Sequence, residues 1–221
     1  MTRENANLVA ILDDDESIRY AIQDLVESER LHALCFSSAE DFLDSTVGRE
    51  ASCLIADVRM PGISGLELQA KLKTERCPVP IIFVTGLGDI PMAVLAMREG
   101  AIDFLTKPID DCALLNSVDK AFQQYQENRR EAIEQESFAK RYTTLTRRER
   151  EVLSLLVRGL LNKQVGFELR ITEYTVQIHR AHIMRKMEAG SFAELVKLAA
   201  RFTVEPAGAV GPIQNNRPRG G

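Results

Sequence analysis

The sequence lacks the features that mark membrane proteins and exported proteins. No stretch approaches the roughly 18–20 uninterrupted apolar residues that a membrane span needs, so we expect no membrane partner. Residues 1–7 are polar and no apolar signal core follows them, so we predict no export signal. The four cysteines show no CxxC spacing, which predicts reduced thiols in a cytoplasmic protein and no zinc site.

Acidic and basic side chains are unevenly distributed along the 221 residues. Residues 1–140 contain 14 Lys and Arg against 25 Asp and Glu, whereas residues 141–204 contain 12 against 6. The formal net charge of −4 therefore hides an acidic first part and a basic second part. Because nucleic acid is a polyanion, this asymmetry indicates that only the second part binds it.

The first part alternates short apolar runs with helical patterns, which predicts a parallel sheet covered by helices. Ser64 and Glu67 have the spacing of a capping box, and Pro91 and Gly100 bracket a further helix. The predicted strands are residues 8–12, 34–36, 53–56, 81–84 and 103–105. We therefore predict a doubly wound α/β domain with five parallel strands.

A helical pattern begins near residue 111 and continues for about thirty residues. Its apolar stripe ends near residue 125, and residues 126–140 are mostly polar. We interpret this stretch as the last helix of the first domain continuing into an exposed helical linker. A disordered linker is the alternative.

Residues after 141 predict an all-α domain. Thr146 and Glu149 have capping-box spacing, and Gly159 ends the helix that they begin. The later predicted helices are 163–169, 173–187 and 191–202. A three-residue turn between the middle pair, with Thr172 as N-cap, is typical of a four-helix helix-turn-helix domain.

These patterns divide the chain into four segments. Gly, Pro and Asn dominate the end of the sequence, which predicts a disordered tail. The predicted segments are a first domain at 1–125, a linker at 126–141, a helix-turn-helix domain at 142–204 and the tail at 205–221.

Charged and polar residues follow the predicted strands where their carboxyl ends meet at one sheet edge. They are Asp13-Asp14-Asp15, Asp57, Thr85-Gly86 and Lys107-Pro108. Converging carboxylates repel one another and need a cation, and oxygen-only ligands favour Mg²⁺. A lysine and a hydroxyl opposite them would neutralise phosphoryl oxygens. The pattern predicts a site that accepts a phosphoryl group on a carboxylate, with Asp57 as the nucleophile.

Four motifs together resemble the receiver domain of two-component response regulators. They are LDDD at 12–15, DVRMPGISG at 57–65, VTG at 84–86 and TKP at 106–108. Their order and spacing over residues 6–125 make the resemblance specific, unlike any single motif. The resemblance implies the flavodoxin-like fold that is also called CheY-like, and a sensor histidine kinase as the phosphoryl donor.

The resemblance implies the residues of the phosphorylation site. Asp57 corresponds to the phosphoacceptor. Asp13 and Asp14 correspond to the acidic pair, with Asp14 the more direct metal ligand, and the backbone carbonyl of Arg59 completes the metal site with Asp57. The implied ion is Mg²⁺, with Mn²⁺ as the alternative.

The resemblance also implies a conformational switch. Thr85 corresponds to the residue that binds a phosphoryl oxygen in the active state, and Lys107 to the lysine of the pocket. Phe104 matches the aromatic residue that reorients when Thr85 moves, and a purely structural role in the core is its alternative. The Lys107–Pro108 bond is expected to be cis, a form almost confined to X-Pro bonds.

Four stretches of the second domain resemble the LuxR-type helix-turn-helix. They are residues 145–153, 159–165, 171–179 and 183–187. Together with the receiver-like first domain, they make the chain similar to the FixJ/NarL class of transcription regulators. The resemblance implies double-stranded promoter DNA as a partner.

In such a domain the helix 173–187 lies in the major groove, with its early residues facing base edges. Val176, Ile183 and Met187 are predicted to face the core. The residues predicted to face outward are Gln177, Ile178, Arg180 and Ala181, with His179 contacting the groove or a phosphate. The predicted phosphate contacts are Arg147, Lys163, Thr172, Thr175, Arg185 and Lys186.

The second domain departs from the pattern of the class in two places. Gln177 stands where Lys is usual, and Ala181 stands where some members have another basic residue. Gly166-Phe167 replaces a commoner Ile-Ala-like pair, which places a glycine inside a helix at a cost of about 1 kcal/mol against Ala. These departures affect the expected target sequence and affinity and leave the predicted fold unchanged.

Three functional hypotheses follow, of which the first is favoured. It is a transcription factor, not an enzyme, that dimerises on phosphorylation through the faces near 92–98 and 115–122, with RNA polymerase as a further candidate partner. The second is a regulator that binds DNA without phosphorylation, which the intact pocket disfavours. The third is an enzyme, such as a phosphatase that uses Asp57 covalently, although the sequence indicates no separate substrate pocket.

Overall fold

The computed structural model describes residues 7–75, 77, 79–86 and 90–202. The chain divides into two compact units, Met1–Arg130 and Glu131–Gly221. The predicted disordered tail, 205–221, lies outside the described residues.

The first unit contains a five-stranded parallel sheet in the order β2-β1-β3-β4-β5. The strands are β1 (Leu8–Leu12), β2 (His32–Phe36), β3 (Cys53–Asp57), β4 (Ile81–Thr85) and β5 (Asp103–Thr106). The five predicted strands are therefore confirmed, and β2 begins two residues earlier than predicted because His32 pairs with Leu8 of β1. The strand order reverses between β1 and β3, which is where open α/β sheets place their sites.

The central strands are buried on both faces of the sheet. Every residue of β1, β3 and β4 is buried, which explains their continuous apolar runs. Alternate residues serve opposite faces: Ala10 and Leu12 pack into one core, whereas Val9 and Ile11 pack into the other. The two cores hold the sheet between layers of helices.

The helices of the first unit are α1 (Glu16–Ser28), α2 (Ala39–Asp44), α3 (Thr46–Arg49), α4 (Gly65–Thr74), α5 (Ile90–Arg98) and α6 (Asp111–Thr143). The side chain of Asp15 caps α1, and Ser64 with Glu67 forms the predicted capping box of α4. The short helix α3 was not predicted from the sequence, because four residues are too few to show helical periodicity. Ser45 caps this short helix by accepting a hydrogen bond from Gly48 N.

Residues 126–141 are helical as predicted, since the long helix α6 continues through them without interruption, but their assignment as a linker stays a prediction. Leu114, Val118 and Ala121 pack in the core of the first unit, and Phe138 packs in the core of the second. Within the part of the chain that the structure describes, no helix combines the length and apolar character needed to cross a bilayer.

The second unit consists of short helices around one core. They are α7 (Arg147–Val157), α8 (Asn162–Leu169), α9 (Glu173–Lys186) and α10 (Phe192–Arg201). Thr146 and Glu149 form the predicted capping box, and Thr172 caps α9 as predicted. The turn between α8 and α9 contains Arg170 in the left-handed conformation, with φ of 53°.

Close packing explains the glycine inside α8. A Cβ atom at Gly166 would lie 2.8 Å from the backbone oxygen of Ile171, in the turn that joins α8 to α9. The same turn is held by a hydrogen bond of 2.9 Å from Ile171 N to Gly166 O. The helix-propensity cost of this glycine is therefore offset by the close approach of the turn.

Substitution of Gly166 tests this packing. We expect Gly166→Ala to lower the free energy of unfolding of the second unit by about 1 kcal/mol. An overpacking cost of about 1–3 kcal/mol exceeds the gain of about 1 kcal/mol in helix propensity. The measurement is urea denaturation of the full chain.

Gly190→Ala is the control, because a Cβ there meets only the flexible carboxylate of Glu194. A Gly166→Ala protein as stable as the parent would show that the turn does not need the glycine.

Candidate functional site

An open pocket of about 300 Å³ lies at the carboxyl edge of the sheet. Its lining residues are Asp13, Asp14, Asp15, Asp57, Arg59, Thr85, Gly86 and Lys107. Strands β1, β3, β4 and β5 each end at this edge and deliver one part of the set. The structure therefore brings together the pocket residues that the sequence predicted.

Lys107 bridges the two buried carboxylates of the pocket. Its Nζ donates to Asp13 Oδ2 at 2.6 Å and to Asp57 Oδ2 at 2.7 Å. Burial lowers the pKa of Lys107, but the two carboxylates outweigh burial and raise it above its ordinary value. The Lys107 ammonium thus neutralises part of the negative charge of the Asp13 and Asp57 carboxylates.

Asp13 is the most enclosed acid of the pocket, with 2% of its surface exposed. Burial raises the pKa of Asp13, although hydrogen bonds from Lys107 and from the backbone N–H of Asp15 act in the opposite direction. Because a buried carboxylate is costly without compensating charge, this acid favours a site that also binds a cation.

The remaining contacts orient Asp57. Its Oδ1 accepts a hydrogen bond of 2.9 Å from the backbone N–H of Arg59, while its Oδ2 is bound by Lys107. Both oxygens of this carboxylate are therefore held in place at the pocket. The predicted role of the Arg59 backbone carbonyl stays a prediction.

The carboxylates fit a divalent cation. One oxygen from each of Asp13, Asp14 and Asp57 lies within 4.8 Å of the other two. Three carboxylates against the single ammonium of Lys107 leave an excess of negative charge, and exposed Asp14 opens the site to water. An oxygen-only, partly hydrated and anionic set matches the preference of Mg²⁺.

Two further residues, Arg19 and Gly65, support the pocket, and the sequence did not predict a role for either. Arg19 Nη1 donates to the backbone oxygen of Asp13 at 2.7 Å, which ties α1 to the loop carrying the acidic pair. A Cβ at Gly65 would lie 2.4 Å from the backbone oxygen of Asp57, so only glycine lets α4 begin so close to it. Gly65 belongs to the motif at 57–65, but its role depends on a contact that spacing does not reveal.

The two candidate switch residues lie on neighbouring strands. Thr85 is buried at the end of β4, and its backbone oxygen accepts a hydrogen bond of 2.9 Å from Lys107 N. The Lys107–Pro108 bond is cis, as predicted. Phe104 is half-buried on β5, with its ring centroid 6.4 Å from that of Phe83. Its proposed reorientation stays a prediction.

In the second unit, α9 has one face in the core and one in solvent. Val176, Ile183 and Met187 are buried, as predicted. Gln177, Ile178 and Ala181 are exposed on the other side, also as predicted. The helix thus presents an outward surface that is free of core packing.

Arg180 does not belong to this outward surface, and the prediction that it faces outward is wrong. Its guanidinium lies 4.1 Å from the ring centroid of Phe192 and donates to Asn162 Oδ1 at 3.1 Å. The physical reason is helical periodicity, because position 180 follows buried Val176 by four residues and shares its side of the helix.

Two further predicted DNA contacts point toward the protein. Lys186 donates to Glu149 Oε2 at 2.7 Å, and Glu149 is buried. His179 is half-buried, and its Nδ1 is enclosed without a hydrogen-bond partner among the described residues. Their predicted roles stay predictions, but both side chains already contribute to the packing of the unit.

The other predicted phosphate contacts remain accessible to solvent. Arg147, Lys163 and Arg185 are exposed, although Arg147 also contacts Glu151 at 3.1 Å. The Thr172 hydroxyl accepts from Thr175 N while capping α9, and it lies 2.8 Å from the Thr175 hydroxyl. Thr172 and Thr175 lie at the beginning of α9, and Arg185 lies in its last turn.

Arg148 supports the helix-turn-helix and was not singled out from the sequence. It donates to the backbone oxygen of Leu169 at 2.5 Å and pairs with Glu151 at 2.9 Å. It thus binds the last carbonyl of α8 next to the turn that precedes α9. A basic residue in the first turn of a helix does not by itself indicate such a contact, so the sequence gave little reason to predict this role for Arg148.

Two families match separate parts of the chain. Residues 9–119 match the response regulator receiver domain, and residues 143–199 match the luxR family of bacterial regulatory proteins. The chain therefore belongs to the response regulators that combine a receiver domain with a LuxR-type DNA-binding domain.

Full-length relatives agree with this assignment. The chain is 43% identical over 199 residues to the response regulator protein TodT of Pseudomonas putida, covering 90% of this chain and 88% of TodT. It is 42% identical over 199 residues to the transcriptional regulatory protein FixJ of Azorhizobium caulinodans, covering 90% and 94%.

Solved structures show the same similarity. The response regulator StyR matches with a TM-score of 0.70 at 40% identity, covering 88% of this chain and 98% of that one. Full-length FixJ from B. japonicum matches with a TM-score of 0.54 at 37% identity, covering 91% and 98%.

The pair of Glu149 and Lys186 makes the second unit sensitive to acid. Burial raises the pKa of Glu149, but hydrogen bonds from Lys186 and Thr146 outweigh burial and hold it below its ordinary value. A carboxyl whose folded-state pKa is lowered stabilises the fold above its unfolded pKa of about 4.3. This contribution is lost as the pH falls through the folded-state value.

We therefore expect Glu149→Gln to lower the free energy of unfolding by about 1–2 kcal/mol at about pH 7, with a smaller difference below about pH 4. Urea unfolding at several pH values measures both. Glu168→Gln is the control, because this carboxylate is exposed on α8. A loss that does not change with pH would contradict the ion-pair explanation.

Proposed function

We propose that this response regulator accepts a phosphoryl group on Asp57 from a sensor histidine kinase and then binds promoter DNA as a dimer. The observation that carries the proposal is the Asp57 carboxylate, held by Lys107 and Arg59 N inside an acidic pocket that suits a divalent cation. The proposed segments are a receiver at 1–125, a linker at 126–141, a DNA-binding domain at 142–204 and a tail at 205–221.

In the proposed transfer, a carboxylate oxygen of Asp57 attacks the phosphorus of a phosphohistidine. A P–O bond forms and the P–N bond breaks, and the electron pair of that bond stays on the imidazole, which takes up a proton. Lys107 and the hydroxyl of Thr85 then stabilise the charge on the phosphoryl oxygens. Both groups already border the pocket.

The residues that would hold the ion are Asp13, Asp14, Asp57 and the backbone carbonyl of Arg59. When bound, Mg²⁺ (or alternatively Mn²⁺) supplies positive charge that neutralises the phosphoryl oxygens. The three carboxylates support this proposal by their donor chemistry and mutual distances.

We propose that Thr85 and Phe104 communicate phosphorylation to a dimerisation surface. Helix α5 exposes Val94, Leu95 and Met97, three apolar side chains that a second receiver could cover. A dimer formed there would bring two DNA-binding domains to one pair of half-sites.

We propose that α9 enters the major groove, with Gln177, Ile178 and Ala181 facing the bases. The exposed cations Arg147, Lys163 and Arg185 and the hydroxyls of Thr172 and Thr175 would contact phosphates. Because Arg180 and Lys186 bind within the unit and His179 is half-buried, their contacts with DNA would require new side-chain positions.

The remaining assignments follow from this role. The family is one of transcription regulators, and we assign no catalytic activity beyond turnover of the protein's own phosphoryl group. RNA polymerase is a further candidate partner at the promoter. We place the protein in the cytoplasm, where bacterial promoter DNA lies.

Phosphorylation at Asp57 is testable with acetyl phosphate and Mg²⁺. We expect one phosphoryl group per chain in the parent and none in Asp57→Asn, because the amide cannot act as the nucleophile. Intact-protein mass spectrometry measures the added mass.

Asp24→Asn is the control, because Asp24 is exposed on α1 outside the pocket. Stoichiometric labelling of Asp57→Asn would refute the assignment. Equal promoter affinity with and without acetyl phosphate would instead favour a regulator that does not depend on phosphorylation.

The phosphate contacts are testable through salt dependence. We expect Lys163→Ala to weaken DNA binding at all sequences and to reduce the slope of log affinity against log salt by about 1. Fluorescence anisotropy at several salt concentrations measures this slope. Lys197→Ala on α10 removes an equal charge as a control, and an equal effect of both variants would argue against a specific contact at Lys163.

A further inference from the structure

An apolar ridge runs along the outward face of α9. It consists of Tyr174, Ile178 and Ala181, and we call these three residues the α9 ridge. The first two are large and clearly exposed, at 71% and 40% of their surface. Residues spaced by four and three positions lie on one side of a helix, so the three form a continuous strip.

The ridge faces away from the core of its own unit. Buried Val176 and Ile183 occupy the opposite side of α9. A surface helix normally has polar or charged residues on the side opposite its core stripe. Here a strip on that side, next to polar Gln177, is apolar over the first two-thirds of the helix, and the next residue of the strip is exposed Arg185.

Exposed basic residues precede and follow the ridge along the chain, and they indicate the kind of partner. Arg185 lies at one end of it, and exposed Lys163 and Arg170 belong to the preceding helix and turn. An apolar strip with cations at its ends suits a partner whose surface has anionic groups at its edges and an apolar group between them. The major groove of DNA has this character where thymine places its 5-methyl group.

The identity of the base follows from the chemistry of the ridge. Among the four bases, only thymine presents an apolar group in the major groove, whereas the other edges present hydrogen-bond donors and acceptors. The ridge has no charged group to pair with guanine, and adjacent Gln177 suits adenine. Small Ala181 leaves room for the groove edge between larger neighbours.

We infer that the DNA half-site of this protein presents at least two thymine methyl groups to the α9 ridge, and that Tyr174 and Ile178 determine specificity by contacting them. The inference rests on the proposed DNA-binding function. It adds Tyr174 to the residues that the sequence suggested for base contact, and it assigns A·T pairs to the positions that the ridge contacts.

The experiment begins with duplexes selected by the phosphorylated full chain from a pool of randomised double-stranded DNA. The tightest binder is then synthesised twice, once with dT and once with dU at every thymine position. Uracil keeps the hydrogen-bonding edge of thymine and lacks only the methyl group. Anisotropy titrations compare the two affinities.

We expect the dU duplex to bind more weakly by about fourfold for each methyl group lost from the contact, which corresponds to about 0.8 kcal/mol each. Loss of two contacts gives a decrease of at least tenfold. In Ile178→Ala and Tyr174→Ala, the dT duplex should bind more weakly and the ratio of dT to dU affinity should move toward one.

A matched control uses Ile133→Ala, which truncates an exposed isoleucine on α6. It should keep the full dT to dU ratio. This control separates a contact at the ridge from a general effect of uracil on duplex shape. If the ridge makes the contact, only the ridge variants should bind the dT and dU duplexes with similar affinity.

The outcomes distinguish the inference from the function on which it rests. Selection of a defined DNA sequence followed by equal affinity for dT and dU would overturn the inference and leave DNA binding intact. An undiminished uracil penalty in both ridge variants would also overturn it. Failure to select any sequence would refute the proposed DNA-binding function and the inference together.

Discussion

The contact of Lys107 with Asp13 and Asp57 is the interaction on which the chemistry of the first unit depends. It joins the ends of β1, β3 and β5, and the order of the sheet makes this possible. Because β1 and β3 are neighbours, their terminal carboxylates lie side by side, and burial would make that arrangement costly without a nearby cation. The apolar strands serve to hold these charges at a fixed edge.

Much of this arrangement could be predicted from the sequence because its determinants are local. Apolar runs predicted the strands, capping residues such as Ser64 and Thr146 predicted helix starts, and strand-end positions predicted the pocket. The rest depended on contacts between distant segments. Gly65 and Gly166 are needed because a Cβ atom at either position would lie less than 3 Å from a backbone oxygen of another segment. The spacing of residue types along the sequence does not indicate such a contact.

The roles of the basic residues in the second unit also could not be predicted from the sequence. The unit's excess of Lys and Arg indicated that it binds nucleic acid, but several of these residues bind within the unit. Arg148 supports the end of α8, Arg180 covers Phe192, Lys186 pairs with Glu149, and Arg201 contacts Glu131 and Glu134. Composition counts every cation equally, whereas the structure separates those that stabilise the fold from those left for a polyanion.

The glycine at position 65 has a mechanical consequence. Since no side chain separates the start of α4 from the backbone of Asp57, the two segments are in direct backbone contact, reinforced by a hydrogen bond of 3.0 Å from Gly65 N to Val58 O. Such a junction has almost no compressible space. A displacement of the Asp57 backbone would therefore be transmitted directly to the first residue of α4, with no flexible side chain between them to absorb it.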